Sequence, residues 1–414
     1  MVADFERGRP GDEEPGDGLE QRGDAGRDRR DDRGSLHPFE AKWQRVLEGL
    51  GRSVQAGLGY QEALLEGTLA GIEADPPDEL GHVRQLIERA NVNRDLVDVR
   101  YALGDLERGG ESHAAAWNAM EQGLRIADAA GGRDGSVMRF ETRLCGARFA
   151  ADAGDWPRCD RLLKEGDQAL GEFRPEARRA SPFGRDADAL AKLSLCAVEY
   201  GAAATLLAQG DQPDCGDNEA AWFRFKAVEA RHAPVPVEHR LGAAIALGLL
   251  IAELRIGKER SIGSTGRRAK SIAESFRANG DRVRDSQARL AVGRELATWS
   301  RRADWGRGDL LEAALDNVRL ARAAGTVAST RSHTSCAANS VLGTTRWTES
   351  VLEGPRPLGK WRQELLPALR LLTLAGDTRS PVLLRQLDTG EVDLPPVPLL
   401  PPWSRQDSPV FGAA

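Results

Sequence analysis

The sequence predicts an all-α fold, a right-handed α-solenoid of antiparallel helix pairs, and three observations predict it. First, a glycine turn, a helix, a DWxR turn and another helix occur twice in register. Gly131 lies 24 residues before Asp155-Trp156-Pro157-Arg158, and Gly280 lies 24 residues before Asp304-Trp305-Gly306-Arg307. The offset between copies is 149 residues throughout, Arg133 and Arg282 included. Self-similarity at a fixed offset marks units that cannot bury their apolar faces alone and must stack to do so. Second, Ala, Leu, Gly and Arg dominate, while aromatics make up only 5%. Ala and Leu lead the helix-propensity scale. Third, alternating runs rich in Val, Ile and Tyr, the mark of strands, are scarce.

Residues 1–35 hold 11 acids, 7 bases and 7 glycines, with Val2, Phe5 and Leu19 as the sizeable apolar residues. Such a segment buries too little to offset its ordering entropy and is expected to be a disordered charged tail. From Pro38 the pattern changes. Phe39, Trp43, Val46, Leu47 and Leu50 follow helical spacing up to Gly51, and Tyr60, Leu64, Leu65, Leu69 and Ile72 form a second amphipathic stretch before Asp75-Pro76-Pro77. A third helix is expected from about Asp78 to Leu106, broken by Gly109-Gly110.

The repeats follow. Residues 115–131 and 309–325 are alike and end in a similar Ala-Ala-Gly sequence, with 268–280 a weaker copy. Asp309 with Glu312 has the spacing of an N-cap and capping box. Gly131 and Gly325 fit the left-handed position after a helix C-terminus, where glycine avoids the Cβ clash, and the weaker copy ends at the glycine turn of Gly280. Further helices are expected over 136–153, 158–171, 187–209, 219–232, 237–256 and 283–302. The repeat domain so read spans 36–325. Residues 326–350, rich in Ser, Thr and Ala, read as a linker or loosely ordered segment. Residues 351–378 hold a terminal helix with Pro367 inside it, and 379–414 form a Pro-rich tail whose DLPPVPLLPPW run favours polyproline II.

Composition narrows the function classes. The net charge of −6 and pI near 5.7 give no field for nucleic acid, so no nucleic-acid partner is expected. The longest apolar run, Leu241–Ala252, is short of the roughly 20 residues a membrane span requires. Cys145, Cys159, Cys196, Cys215 and Cys336 are widely spaced, with no CxxC. With a charged N-terminus lacking a secretory pattern, that spacing predicts a reducing, cytoplasmic setting.

Candidate chemistry is weak. Gly263-Ser264-Thr265-Gly266 near Lys270-Ser271 misses the spacing of a phosphate-binding loop and follows no strand. His232 and His239 are separated by Pro234 and Pro236, with no third metal ligand nearby. His333 and Cys336 sit in a weakly patterned segment with no partner motif. Arg27–Arg33 is charge-mixed, unlike the aspartate-rich metal motif of all-α isoprenoid synthases. No catalytic residue, metal or cofactor is therefore assigned. The Trp residues of the DWxR turns read as packing wedges, with a ligand-facing anchor as the alternative.

The helix-turn-helix pattern resembles tetratricopeptide-type repeats, in which a G-D-(Y/W) turn joins the two helices of a unit. Gly154-Asp155-Trp156 matches that turn, with Ala147 and Cys159 at the family's small-residue positions, and Ala303-Asp304-Trp305 matches with Ala for Gly. Residues 271–296 look like the repeats of large bacterial signalling proteins. The resemblance covers roughly 80–325. Units here average about 50 residues against about 34 for the standard repeat, and the large aromatic inside the first helix is mostly missing.

The resemblance implies a cytoplasmic scaffold, regulatory or signalling, that binds a protein or peptide. Its binding surface would be lined by the first helix of each unit, near Glu141, Arg148, Asp152 and Arg301. A sensor fragment of a larger signalling system, binding a small molecule, is the second reading, and an all-α enzyme of unrecognised type is the third. Oligomeric state and partner identity are not legible.

Overall fold

The computed structural model describes residues 38–72, 79–180, 184–210, 216–231, 240–301, 307–331, 336–354, 358–397 and 399. Among these, all regular structure is helical: α1 (Pro38–Ile72), α2 (Glu79–Leu103), α3 (Leu106–Ala129), α4 (Gly132–Asp152), α5 (Trp156–Ala180), α6 (Gly184–Gln209), α7 (Gly216–Arg231), α8 (Arg240–Arg255), α9 (Ile262–Ala278), α10 (Arg282–Ser300), α11 (Arg307–Arg331), α12 (Cys336–Leu352), α13 (Leu358–Leu374) and α14 (Ser380–Thr389). The chain divides into two units, Met1–Arg45 and Val46–Ala414. Of the first, only Pro38–Arg45, the opening turns of α1, is described; the second holds the rest of α1 and every later helix.

Consecutive helices from α2 onward pack as neighbours, and the even-numbered helices α2, α4, α6, α8, α10 and α12 also touch one another in succession. This even row is the most enclosed part of the unit. Every residue of α10 from Asp285 to Ala297 is buried, polar ones included. Small residues set the approach between the rows. An ideal Cβ at Gly293 of α10 would lie 3.0 Å from the Ala314 carbonyl of α11, and one at Gly343 of α12 would lie 3.0 Å from the Ala368 carbonyl of α13. Ala147 and Cys159, at the expected small-residue positions, are both fully buried where α4 meets α5. The 149-residue offset relates α4 to α10, six helices on, which is three helix pairs.

The turns recur with more regularity than the DWxR pair alone suggests. Gly104, Gly154, Gly280 and Gly376 all have positive φ, each followed by aspartate. In each turn the aspartate N–H donates to the carbonyl five residues back, and the glycine N–H donates to the one three back. These are the paired bonds that close a helix with a left-handed residue. The aspartate then starts the next segment. Asp105, Asp155 and Asp281 accept from the N–H of Arg108, Arg158 and Arg284 at 3.1, 3.2 and 3.0 Å, an N-cap worth about 1 kcal/mol.

Several expectations are corrected. The two stretches on either side of Gly51 are one helix, because Leu47, Leu50, Val54 and Leu58 continue a single buried face through it. The break expected at Gly109-Gly110 falls at Gly104; Gly109 is helical and its ideal Cβ would sit 2.3 Å from the Tyr101 ring. Gly131 is extended (φ −98°) and caps the start of α4, while Gly132 takes the left-handed conformation (φ 70°). Gly325 does not end a helix: it lies within α11, where an ideal Cβ would be 2.9 Å from Ser286 Oγ, so close packing and not chain reversal requires glycine there. Asp309 falls in the first turn of α11 and is not its N-cap.

The segment read as a linker, 326–350, is mostly helix. It continues α11 to Arg331 and then forms α12, in which Trp347 is fully buried. Within α12 the hydroxyls of Thr344, Thr345 and Thr348 donate to the carbonyls four residues back, so a Ser/Thr-rich stretch keeps its polar groups satisfied inside a helix. Pro367 lies within α13 without ending it. Part of the expected tail is described too: 380–389 form α14, and 391–397 follow it without regular secondary structure. The 1–35 tail, Asp304, Trp305, His232, His239 and His333 lie outside the described residues.

The C-terminal helices also meet α1. An ideal Cβ at Gly57 would lie 2.9 Å from the Thr373 carbonyl of α13, and Leu384 of α14 packs with Val54, Leu58 and Val99. The first and last helices of the unit are therefore neighbours.

Candidate functional site

Three of the four residues expected to line a binding surface lie on α4, and they are engaged within the protein. Glu141 is buried and accepts both Nε and Nη2 of Arg84 from α2, at 3.2 and 3.0 Å. Burial pushes its carboxyl above the ordinary range, against the opposing pull of Arg84. Arg148 is half-buried and engaged with neighbouring groups. Asp152 pairs with Arg94 of α2 at 2.8 Å and accepts from Thr205 of α6 at 3.4 Å. Glu141 and Asp152 tie even-numbered helices to one another. Arg301 is different. It lies at the C-cap of α10 and is half-exposed, and its Nη1 donates to Asp393 Oδ1 at 2.8 Å.

Asp393 belongs to a segment without regular structure beginning at Glu391, and that segment defines the site. With no helix or sheet ladder to pair them, its carbonyls need outside donors. Trp347 Nε1, from the buried indole of α12, donates to the Asp393 carbonyl at 3.1 Å, and Arg379 Nη1 donates to the Pro396 carbonyl at 2.5 Å. Leu394 and Pro395 are buried. Further along, Val397 and Leu399 share the lining of a small space of ≈ 20 Å³ with Ala204, Leu207, Ile251, Arg255, Ala291 and Glu295. That is room for about one water. The segment thus lies against α12, α10, α8 and α6, members of the even row.

The donors are held in place. Arg379 reaches Asp377 with Nε at 2.9 Å and Nη2 at 2.6 Å, and Nη2 also meets Thr344 Oγ1 at 2.9 Å. Burial alone would raise the Asp377 carboxyl, but the hydrogen bonds and charge of Arg379, with the Ser340 hydroxyl, hold it below the usual range. Asp393 behaves likewise: burial raises it, and the hydrogen bonds from Arg301 and Leu394 N–H, with the charges of Arg301 and Arg294, outweigh that. Beneath Val397 and Leu399, Arg255 donates to Glu295 at 2.8 Å and to the Leu207 and Gly210 carbonyls at 2.6 and 3.1 Å, while Arg294 meets Glu295 at 3.2 Å.

On the odd-numbered helices, cations cover the tryptophans in a repeating way. Arg158 of α5 stacks over Trp117 of α3 at 4.4 Å and pairs with Glu121, one turn along. Arg224 of α7 stacks over Trp156 of α5 at 4.9 Å and pairs with Asp160, again one turn along. Trp156 also packs on the core between α4 and α5. Its ring is a packing element with its outer face already occupied.

Sequence reasoning missed Trp347, Arg379, Arg255 and Asp393. Only Asp393-Leu394-Pro395-Pro396 left a signal, as composition, and the groups that receive it are far away in the chain. Among the described residues no group of three His, Cys, Asp or Glu is placed to hold a metal, and no helix is long and apolar enough to cross a membrane. No family model, curated protein or solved structure matches the chain.

Proposed function

We propose that the chain is a protein- or peptide-binding helical repeat scaffold, a right-handed solenoid of antiparallel pairs of the tetratricopeptide type, acting in cytoplasmic regulation or signalling. Its binding surface is the face of α6, α8, α10 and α12 flanked by Arg301, Trp347 and Arg379. One observation supports this above the rest. Fixed side-chain donors on this face already satisfy the Asp393 and Pro396 carbonyls, and Val397 and Leu399 line a small space with Ala204, Leu207, Ile251 and Ala291 beside Arg255 and Glu295. Side chains that satisfy main-chain carbonyls recognise backbone as such, while that space and Arg301 add sequence preference.

The test is fluorescence anisotropy with a labelled synthetic peptide reproducing residues 389–400. It is titrated into the full chain carrying Asp393→Lys and Leu394→Asp, which weaken the resident segment. Saturable binding of one peptide per chain, abolished by adding Arg301→Glu, is the expected result. No binding by a variant with unchanged helical circular dichroism would overturn the proposal.

A further inference from the structure

We infer that Glu391–Val397, with Leu399, is an internal pseudo-ligand: the partner of this face is a peptide with a carboxylate followed by leucine and two prolines, and it binds by displacing that segment. This rests on the function proposed above and specifies its ligand and its regulation.

The segment is docked through buried Leu394 and Pro395, while the rest of its described residues are half-buried or exposed. Its neighbour α14 buries Leu383 and Leu387, and Gly390, in the left-handed conformation (φ 79°), ends that helix. Beyond Gly390 the hold consists of a few separate contacts. Asp393 keeps two-thirds of its side chain exposed, at 67%, and Glu391 and Pro396 are exposed. No backbone ladder or helix fixes the segment, so it can leave by breaking the Arg301, Trp347 and Arg379 bonds and the long Asp393 N–H to Gln386 Oε1 bond at 3.4 Å, and lifting Leu394, Val397 and Leu399. The groups it would uncover are specific: the Trp347 indole N–H, the Arg301 guanidinium and Nη1 of Arg379, which is held in place by its other bonds to Asp377 and Thr344.

Charge complementarity sets the partner's chemistry. Arg301 and Arg294 both act on the Asp393 carboxylate, so a competing peptide needs an acid there, and a lysine would be repelled. Two prolines at the positions of Pro395 and Pro396 present carbonyls and no N–H groups, which suits a face whose contacts to this backbone are donors. Val397 and Leu399, two residues apart, line the same small space.

A tethered segment competes at an effective concentration on the order of 1 mM, so it weakens any ligand in trans by the fraction of open sites. The experiment compares two full-length proteins, wild type and the Asp393→Lys, Leu394→Asp variant, with the labelled 389–400 peptide as probe. Both substitutions lie on the segment and leave every helix unchanged; Val397→Asp is a second such variant. Wild type should bind the probe about 10- to 100-fold more weakly than either variant, and a probe with lysine at the Asp393 position should bind neither variant. Equal affinity of wild type and variants for the probe would overturn the pseudo-ligand while leaving the binding face intact. Failure of the probe to bind any of the proteins would overturn the underlying function instead. Equal binding of the lysine probe would overturn the acid-specific ligand.

Discussion

Gly248→Ala should destabilise the protein, while Gly201→Ala should not. Gly248 lies in α8, where an ideal Cβ would fall 2.4 Å from both Cε1 and Cζ of Phe225 in α7 and 2.9 Å from Cδ1. Carbon pairs in contact sit at about 3.5–4.0 Å, so the shortfall is roughly 1 Å. Phe225 cannot swing aside. It is fully buried, and its ring is tilted against that of the buried Tyr200 at 5.8 Å between centroids. Overpacking a core by a methyl group costs about 1–3 kcal/mol. A rigid aromatic neighbour places this site at the upper end, and the helix propensity gained on replacing glycine offsets about 1 kcal/mol. The net loss is about 2 kcal/mol, or about 3 °C in melting temperature for a unit of this length. Gly201, inside α6, has nothing within 4 Å of its ideal Cβ. There the propensity term acts alone and should raise stability by about 0.5–1 kcal/mol. Circular-dichroism melts of the two variants side by side provide the measurement. Equal changes, or a Gly248→Ala protein as stable as wild type, would refute the close approach of α7 and α8.

Three further outcomes are expected. Glu295→Gln leaves the buried Arg255 and Arg294 without their carboxylate and should cost about 3 kcal/mol in urea denaturation; a loss below about 1 kcal/mol would show that these arginines find other partners or water. Asp377, held below its ordinary value of 3.8 by Arg379 and Ser340, contributes stability that is complete above that value and is lost as pH falls through the lowered one. The stability difference between wild type and Asp377→Asn should therefore be constant near neutrality and vanish in acid, and a gap that widened on acidification would contradict the assignment. Finally, Cys336 is exposed whereas Cys145, Cys159 and Cys196 are buried, and burial pushes the Cys159 thiol up to about 11. Brief alkylation of the native protein, read by peptide mass spectrometry, should label Cys336 and spare those three.

The elements that could be read from the sequence are those whose cause is local. A left-handed glycine followed by a capping aspartate writes its requirement into adjacent positions, so the Gly154-Asp155 turn and the turn at Gly280 stand out, and the copy at Gly104-Asp105 is available by the same rule. The amphipathic spacing of Leu47, Leu50, Val54 and Leu58 was equally local, but Gly51 hid its continuity, since glycine weakens a helix without having to end it. Positions set by a neighbour across the fold were not legible. Gly325 looks like a helix terminator until Ser286 is placed 2.9 Å from its ideal Cβ. Glu141 looks like a surface acid until Arg84 is found beside it. The candidate site is the extreme case. Its segment has no helix or sheet ladder, and its donors come from α10, α12 and the turn before α14, so composition alone suggests a solvated tail.

The neighbouring of α1 with α13 and α14 fixes the number of units. An open stack can gain or lose a helix pair at little cost, because only one interface is remade and the free ends simply shift. Here α1 is bound on both sides, to α2 through Arg100 and Glu62 at 2.9 Å and to α13 and α14 through Gly57 and Leu384. Excising a pair such as α7 and α8 would displace everything beyond it by about one helix spacing, 8–10 Å, and pull one of those seams apart. Length is therefore expected to vary in the connections between helices and not in the number of helices between α1 and α13.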